Sequence, residues 1–258
     1  MPRFSANLSM LFQESRFLDR FERAAAAGFG AVEFLFPYIW PPDELRSRLE
    51  RNGFVQALFN FPPGNWEAGD RGIAALPERR EEFEQSIGLA ARYAAALDCD
   101  RLHLMAGVPG PYVDPALARR TYVENVRRAA DAFGEADRMV LVEPLNTTDV
   151  PGYLVTLPAQ AVELIDEIDR PNVGLQLDFY QCQMMQGNLA ATFERYRALV
   201  RHIQIGGVPG RHEPDVGEIN YPFLFDLLDS LGYEGYVGCE YRPRGTTEEG
   251  LGWLAPYL

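Results

Sequence analysis

Three apolar stretches of this chain end in acid: "MVLVEPLN" delivers Glu143, "VGLQLDFY" delivers Asp178 and "YVGCEYRP" delivers Glu240. A carboxylate at the end of a buried strand is costly unless something pairs with it. Strand side chains alternate faces, so in "HIQIG" Ile203 and Ile205 oppose His202 and Gln204. The same parity sets Leu175 and Leu177 against Gln176 and Asp178, Val140 and Val142 against Leu141 and Glu143, and Val237 and Cys239 against Gly238 and Glu240. Taken singly, each acid could equally cap a loop or pair with an arginine. Taken together, three carboxylates in one place would each gain a proton unless a cation intervenes.

Glu143, Asp178, Gln204 and Glu240 form an oxygen-only ligand set, which suits Mg²⁺ or Mn²⁺ rather than zinc or copper. Such an ion chelates a hydroxyl and a carbonyl oxygen of a small substrate and lowers the pKa of the C–H between them. Glu143 and Glu240 would flank that chelate, equipped to move a proton through an enediolate. The implied chemistry is isomerisation or epimerisation of a small oxo-hydroxy acid. No nucleotide-loop pattern is present, so no nucleotide cofactor is expected.

Other side chains divide between two readings. Arg211, in "GVPGRHEPDVGEINYP", offers a fork for a substrate carboxylate, or an ion pair with Glu213 or Asp215. His212 and Glu213 could support that loop. Asn60, in "LFNFPPG", could hydrogen-bond substrate or form a turn. His103 and His202 read as satisfied interior histidines. The tryptophans read as packing, with Trp66 the exception because its long loop could cover a mouth.

These residues need a frame that brings strand ends together. Short apolar runs alternate with amphipathic stretches eight times, from "RFSANLS" with "FLDRFERAAAAG" to "YVGCEY" with "TTEEGLGWLAPYL". Pro opens and Gly closes "PPDELRSRLERNG", as helix boundaries prefer. Eight βα units in 258 residues point to an α/β fold with one domain over 1–258, a (β/α)8 TIM barrel. The alternative, a doubly wound open sheet, usually carries a Gly-rich first βα turn, which "LSMLFQES" is not. In a barrel the acids lie at the carboxyl ends of strands 5 to 8, where such folds place their active sites.

Composition is that of a globular protein, 47% hydrophobic and 24% charged. Net charge, 24 − 37 = −13, disfavours nucleic acid and anionic membranes as partners. Three cysteines without a C-x-x-C pair fit reduced thiols. The opening "MPRFSANLSMLFQESRF" turns polar too soon for a secretory signal, and no apolar run is long enough to span a membrane. A cytoplasmic protein acting on a small molecule is expected, and barrels of this kind often form homo-oligomers.

The segments "RFSANLSMLF", "AVEFLFPY", "AGDRGIAALP", "VEPLN", "HIQIGGVPGRHEPDVGEINYP" and "GCEYRPRGTTEEGLGW" resemble the hydroxypyruvate isomerase family of xylose-isomerase-like TIM barrels. The resemblance runs from Pro2 to Trp253. "RHEPD" and "YRPRGTTEEGLGW" look most like the 2-oxo-tetronate isomerase branch, which interconverts 2-oxo- and 3-oxo-tetronates. The sister branch interconverts hydroxypyruvate and tartronate semialdehyde. The resemblance implies Glu143 and Glu240 as the proton-transfer pair and metal ligands, with Asp178 and Gln204 completing the set. It departs at Gln181, in "DFYQCQMMQG", where the family usually has a histidine that contacts substrate. Gln donates a hydrogen bond but cannot titrate. The departure keeps open a ketose 3-epimerase, or a barrel that binds a sugar acid without turning it over.

Overall fold

A computed structural model describes residues 1–257. Eight parallel strands close into a barrel in chain order: β1 (Arg3–Asn7), β2 (Ala31–Phe34), β3 (Val55–Asn60), β4 (Arg101–His103), β5 (Met139–Val142), β6 (Val173–Asp178), β7 (Val200–Ile205) and β8 (Tyr236–Cys239). β1 closes on β8 through Ser5 opposite Gly238, and the open sheet is thereby excluded. Eight α-helices connect the strands: α1 (Arg20–Ala26), α2 (Pro42–Asn52), α3 (Arg80–Leu97), α4 (Pro115–Gly134), α5 (Pro158–Ile168), α6 (Phe179–Met185), α7 (Leu189–Tyr196) and α8 (Tyr221–Ser230). None is long and apolar enough to cross a membrane.

Local chemistry explains most boundaries. α2 begins at Pro42 and stops at Gly53, whose φ of 67° is the left-handed conformation glycine tolerates. The Asp114 side chain accepts the Ala116 N–H at the start of α4. Two elements differ from the sequence expectation. The sequence pattern sets one amphipathic stretch, "NLAATFERYRALV" (188–200), after β6, yet α6 precedes it, started by Asp178 accepting the Tyr180 N–H at 2.8 Å. The C-terminal "EEGLGWLAPY" is a 3₁₀ stretch, Glu248–Tyr257, because Gly250, Gly252 and Pro256 weaken an α-helix there.

The strands' outward apolar residues pack under the helices, with Val140, Leu175, Leu177, Ile203 and Ile205 all fully buried. The inward face is polar. Glu33, Gln56, His103, Gln176 and His202 fill the barrel interior, and each is at most 3% exposed.

Candidate active site

Asp178 ends β6 and Gln204 lies one residue inside the end of β7, while Glu143 and Glu240 directly follow β5 and β8. All four sit at the carboxyl rim. One carboxylate oxygen from each of Glu143, Asp178 and Glu240 lies within 4.8 Å of the others. A cavity of about 200 Å³ opens above, and its walls include Glu143, Gln204, Glu240, Arg211, Asn60 and Gln181. The structure therefore gathers all seven residues named from sequence at one mouth, Asp178 joining through the carboxylate cluster.

Arg211 lies at the centre of the charge. Its Nη2 donates to Asp178 Oδ2 and to Glu240 Oε2, each at 2.8 Å, and its Nε donates to the Glu240 carbonyl at 3.1 Å. The guanidinium also lies 4.7 Å over the Tyr180 ring. Of the two partners considered for it, Asp215 makes no ion pair with it among the described residues, and Glu213 binds Arg244 instead, accepting from its backbone N–H and its Nε. Burial pulls the Arg211 pKa down, but Glu240, Asp178 and Glu143 outweigh it and raise the guanidinium above its ordinary value. Burial pushes Glu240 up to about 8, with Arg211 opposing and Asp178 adding to the rise. Glu143 goes further, raised well above a usual carboxylate by burial and then by Glu240 and Asp178.

His103 Nδ1 lies 3.1 Å from Glu143 Oε2, both buried. Burial, then the nearby His202, push the His103 ring down to about 3. Both shifts have burial as their first cause, and the three carboxylates of the cluster gather around one guanidinium. Glu143 Oε1 and His103 Nε2 are buried and have no hydrogen-bond partner among the described residues.

Beneath the mouth lies a layer that the sequence reading did not single out. Glu33, fully buried on β2, accepts from Ser5 Oγ at 2.8 Å, Asn7 Nδ2 at 3.1 Å and Gln204 Nε2 at 2.8 Å. His202 Nε2 lies 2.8 Å from its Oε2. Burial would raise the Glu33 carboxyl, but His202 and the hydrogen bonds outweigh it and hold it below the ordinary value. With its Nε2 committed to Glu33, Gln204 turns its oxygen away, where it accepts from Gln176 Nε2 at 2.6 Å. The Glu33 layer thus fixes the amide orientation of Gln204.

Gln181 is oriented by similar logic. Its Oε1 accepts the Asn146 backbone N–H at 2.8 Å and Asn146 Nδ2 at 2.6 Å. A backbone N–H requires an acceptor, so the oxygen must face Asn146 and the Nε2 of Gln181 is left as the donor for the cavity. Asn60 ends β3 on the cavity wall, and its carbonyl accepts from Tyr38 Oη at 2.6 Å. The long loop after β3 brings Trp66 and Arg71 over the mouth. His212 stands aside, with Nδ1 2.9 Å from the Arg242 carbonyl.

Known proteins resemble this chain along its whole length. The family model described as Xylose isomerase-like TIM barrel matches residues 21–257. A 2-oxo-tetronate isomerase of Cupriavidus necator is 53% identical over 258 residues, covering 100% of this chain and 99% of its own. A hydroxypyruvate isomerase of Escherichia coli is 44% identical over 257 residues, covering 100% of both. A crystal structure of an AP endonuclease, family 2, from Brucella melitensis superposes with a TM-score of 0.98 at 50% identity, covering 100% of this chain and 99% of that one.

Proposed function

The chain belongs to the xylose-isomerase-like TIM-barrel family and is an isomerase, and we propose that its substrate is a 2-oxo-tetronate, which it converts to the 3-oxo-tetronate. The observation that carries this reading is the pair Glu143 and Glu240 at one carboxylate cluster, on opposite sides of Asp178 and Gln204 in barrel order. The reaction breaks C3–H and O3–H and forms C2–H and O2–H. One carboxylate takes the C3 proton, an enediolate forms, and a proton is delivered to C2. Burial raises the proton affinity of both Glu143 and Glu240, as suits groups that must both accept and return a proton.

The donor set also fits a hard divalent cation. Three clustered carboxylates, Glu143 Oε1 without a hydrogen-bond partner among the described residues, and Gln204 Oε1, which accepts from Gln176 Nε2, are all oxygen donors. Glu143, Asp178, Gln204 and Glu240 would hold Mg²⁺ or Mn²⁺, which when bound supplies polarisation of the substrate carbonyl. Arg211 supplies positive charge to Asp178 and Glu240. His103 holds Glu143 in place, and Gln181 and Asn60 present amides to the substrate's hydroxyl and carbonyl oxygens.

The endonuclease name of the Brucella melitensis neighbour is not carried over to this chain. A net charge of −13 opposes a phosphate backbone, and two of the three histidines, His103 and His202, are inside the barrel. Hydroxypyruvate is the second substrate to test, because the same carbonyl shift on a three-carbon acid uses the same groups. Proton NMR of the purified protein with each acid and Mn²⁺ decides. Turnover of the tetronate at a higher kcat/KM than hydroxypyruvate supports the proposal, and the reverse order overturns it.

A further inference from the structure

An oxo acid carries a carboxylate into a cavity whose floor already holds Glu143, Asp178 and Glu240, so it needs a cation set apart from that floor. Three arginines border the cavity: Arg71, Arg211 and Arg242. Arg211 is committed to Asp178 and Glu240. Arg242 is exposed, where water and salt weaken a pair. Arg71 is half-buried and has no carboxylate within ion-pair distance among the described residues.

The fold holds Arg71 in a defined pose. Its guanidinium stacks 4.0 Å over the Trp66 ring, and that ring packs against Phe36 at 4.9 Å. One terminal nitrogen, Nη1, donates to the carbonyls of Asp70 at 2.7 Å and Trp66 at 3.3 Å. Nε and Nη2 have no partner among the described residues, and that edge is the one that meets a carboxylate with two parallel bonds. The next residue, Gly72, has φ of 101° and pairs with Ala106 beyond β4. A Cβ there would lie 2.6 Å from the Met105 carbonyl carbon, so only glycine lets the loop approach so closely. Asp70, which could have neutralised its neighbour, is instead drawn off by Arg79 at 2.5 Å.

We infer that Arg71, stacked on Trp66, is the subsite for the substrate carboxylate, and that it sets the preference of this barrel for oxo acids over neutral ketoses. The inference rests on the proposed function for the identity of the reacting acid. The planar fork binds the carboxylate at the outer end of the cavity, which leaves the hydroxycarbonyl end to face Glu143 and Glu240. Trp66 covers the same end and lowers the local dielectric, strengthening the contact.

The test compares Arg71→Met, Arg71→Lys and Arg211→Met proteins with the unaltered protein. Turnover is followed on 2-oxo-tetronate, and reaction of erythrulose, the same skeleton with a hydroxymethyl group in place of the carboxylate, is followed as carbon-bound deuterium uptake from D₂O, because its carbonyl shift regenerates erythrulose. Binding is followed by calorimetry with erythronate and erythritol, a non-reacting acid and its neutral counterpart. Arg71→Met is expected to lose about 100-fold in kcat/KM on the acid, mainly in KM, with little change on erythrulose. It should also bind erythronate no better than erythritol, and Arg71→Lys should recover part of the difference. Arg211→Met should keep the erythronate preference. If Arg71→Met retains that preference, or if Arg211→Met alone loses it, the subsite is overturned. Failure of the unaltered protein to turn over 2-oxo-tetronate counts against the proposed function, while the calorimetry still judges Arg71.

Discussion

Gly238 is the position where one added methyl group meets the Glu33 layer directly. It lies on the inward face of β8, opposite Ser5 of β1, and the space its missing side chain leaves is filled by the Glu33 carboxylate. A Cβ built on Gly238 would lie 2.6 Å from Glu33 Cδ and overlap both carboxylate oxygens. Glu33 cannot swing away freely, because Ser5, Asn7, His202 and Gln204 all hold it at 2.8–3.1 Å. Gly238→Ala must therefore either compress the layer or break part of it. Overpacking a tight interior costs about 1–3 kcal/mol, and losing one hydrogen bond to a buried charge adds about 1.5–3 kcal/mol. The sum, roughly 2.5–6 kcal/mol, corresponds to a fall in Tm of about 5–24 °C for a chain of this size. Gly88, on α3 with nothing within 4 Å of an added Cβ, is the control; Gly88→Ala should raise stability by about 0.5–1 kcal/mol. Thermal unfolding by circular dichroism reads both. Because Glu33 sets the Gln204 amide, Gly238→Ala should also lower kcat in whatever fraction stays folded. A Tm for Gly238→Ala within about 2 °C of the unaltered protein would refute the claim that the Glu33 layer is rigid.

Two further perturbations follow from the same geometry. Arg211→Met removes the cation between Asp178 and Glu240, so the ion-free protein should lose about 3 kcal/mol, as for one partner removed from a buried pair; Mn²⁺ should then raise its Tm by more than it raises that of the unaltered protein, and equal ion-induced shifts would contradict the competition. The three cysteines are buried, and burial pushes Cys99 up to about 12 and Cys182 up to about 11 from an ordinary 9.0, with Cys239 also raised. A thiol whose pKa is raised by folding adds stability that is complete below the unfolded value and fades as pH climbs through the folded one. Urea midpoints should accordingly fall between pH 9 and pH 12, and Ellman's reagent at pH 8 should find thiols only after unfolding; rapid native reaction would show the burial to be wrong.

The acids of the site were legible because of two regularities: strand alternation separates Glu143, Asp178, Gln204 and Glu240 from their apolar neighbours, and a barrel gathers strand ends. The support beneath them was not. Glu33 sits inside "AVEFLF", and its buried charge was itself a signal, but its partners come from β1 and β7, 26 to 171 residues away. His103 was read as a satisfied interior histidine, and only the pairing of β4 with β5 sets it beside Glu143. Arg71 lies in a loop, which has no periodicity to mark which way a side chain faces. Gln181 was visible as a departure from the family, yet its orientation depends on a backbone N–H of the β5 loop. The eight βα units were readable from alternation, whereas α6 was hidden because it begins on the same Asp178 that ends β6.

The central claim is that Glu143 and Glu240 move the substrate's carbon-bound proton. It is tested most directly by incubating the protein and its Glu143→Gln and Glu240→Gln variants with a 2-oxo-tetronate and Mn²⁺ in D₂O, and following carbon-bound deuterium by NMR. The account predicts product and deuterium at the shifted carbon with the unaltered protein, and a loss of about 10²–10⁴-fold in each variant. Deuterium incorporation at the unaltered rate by either variant would contradict it.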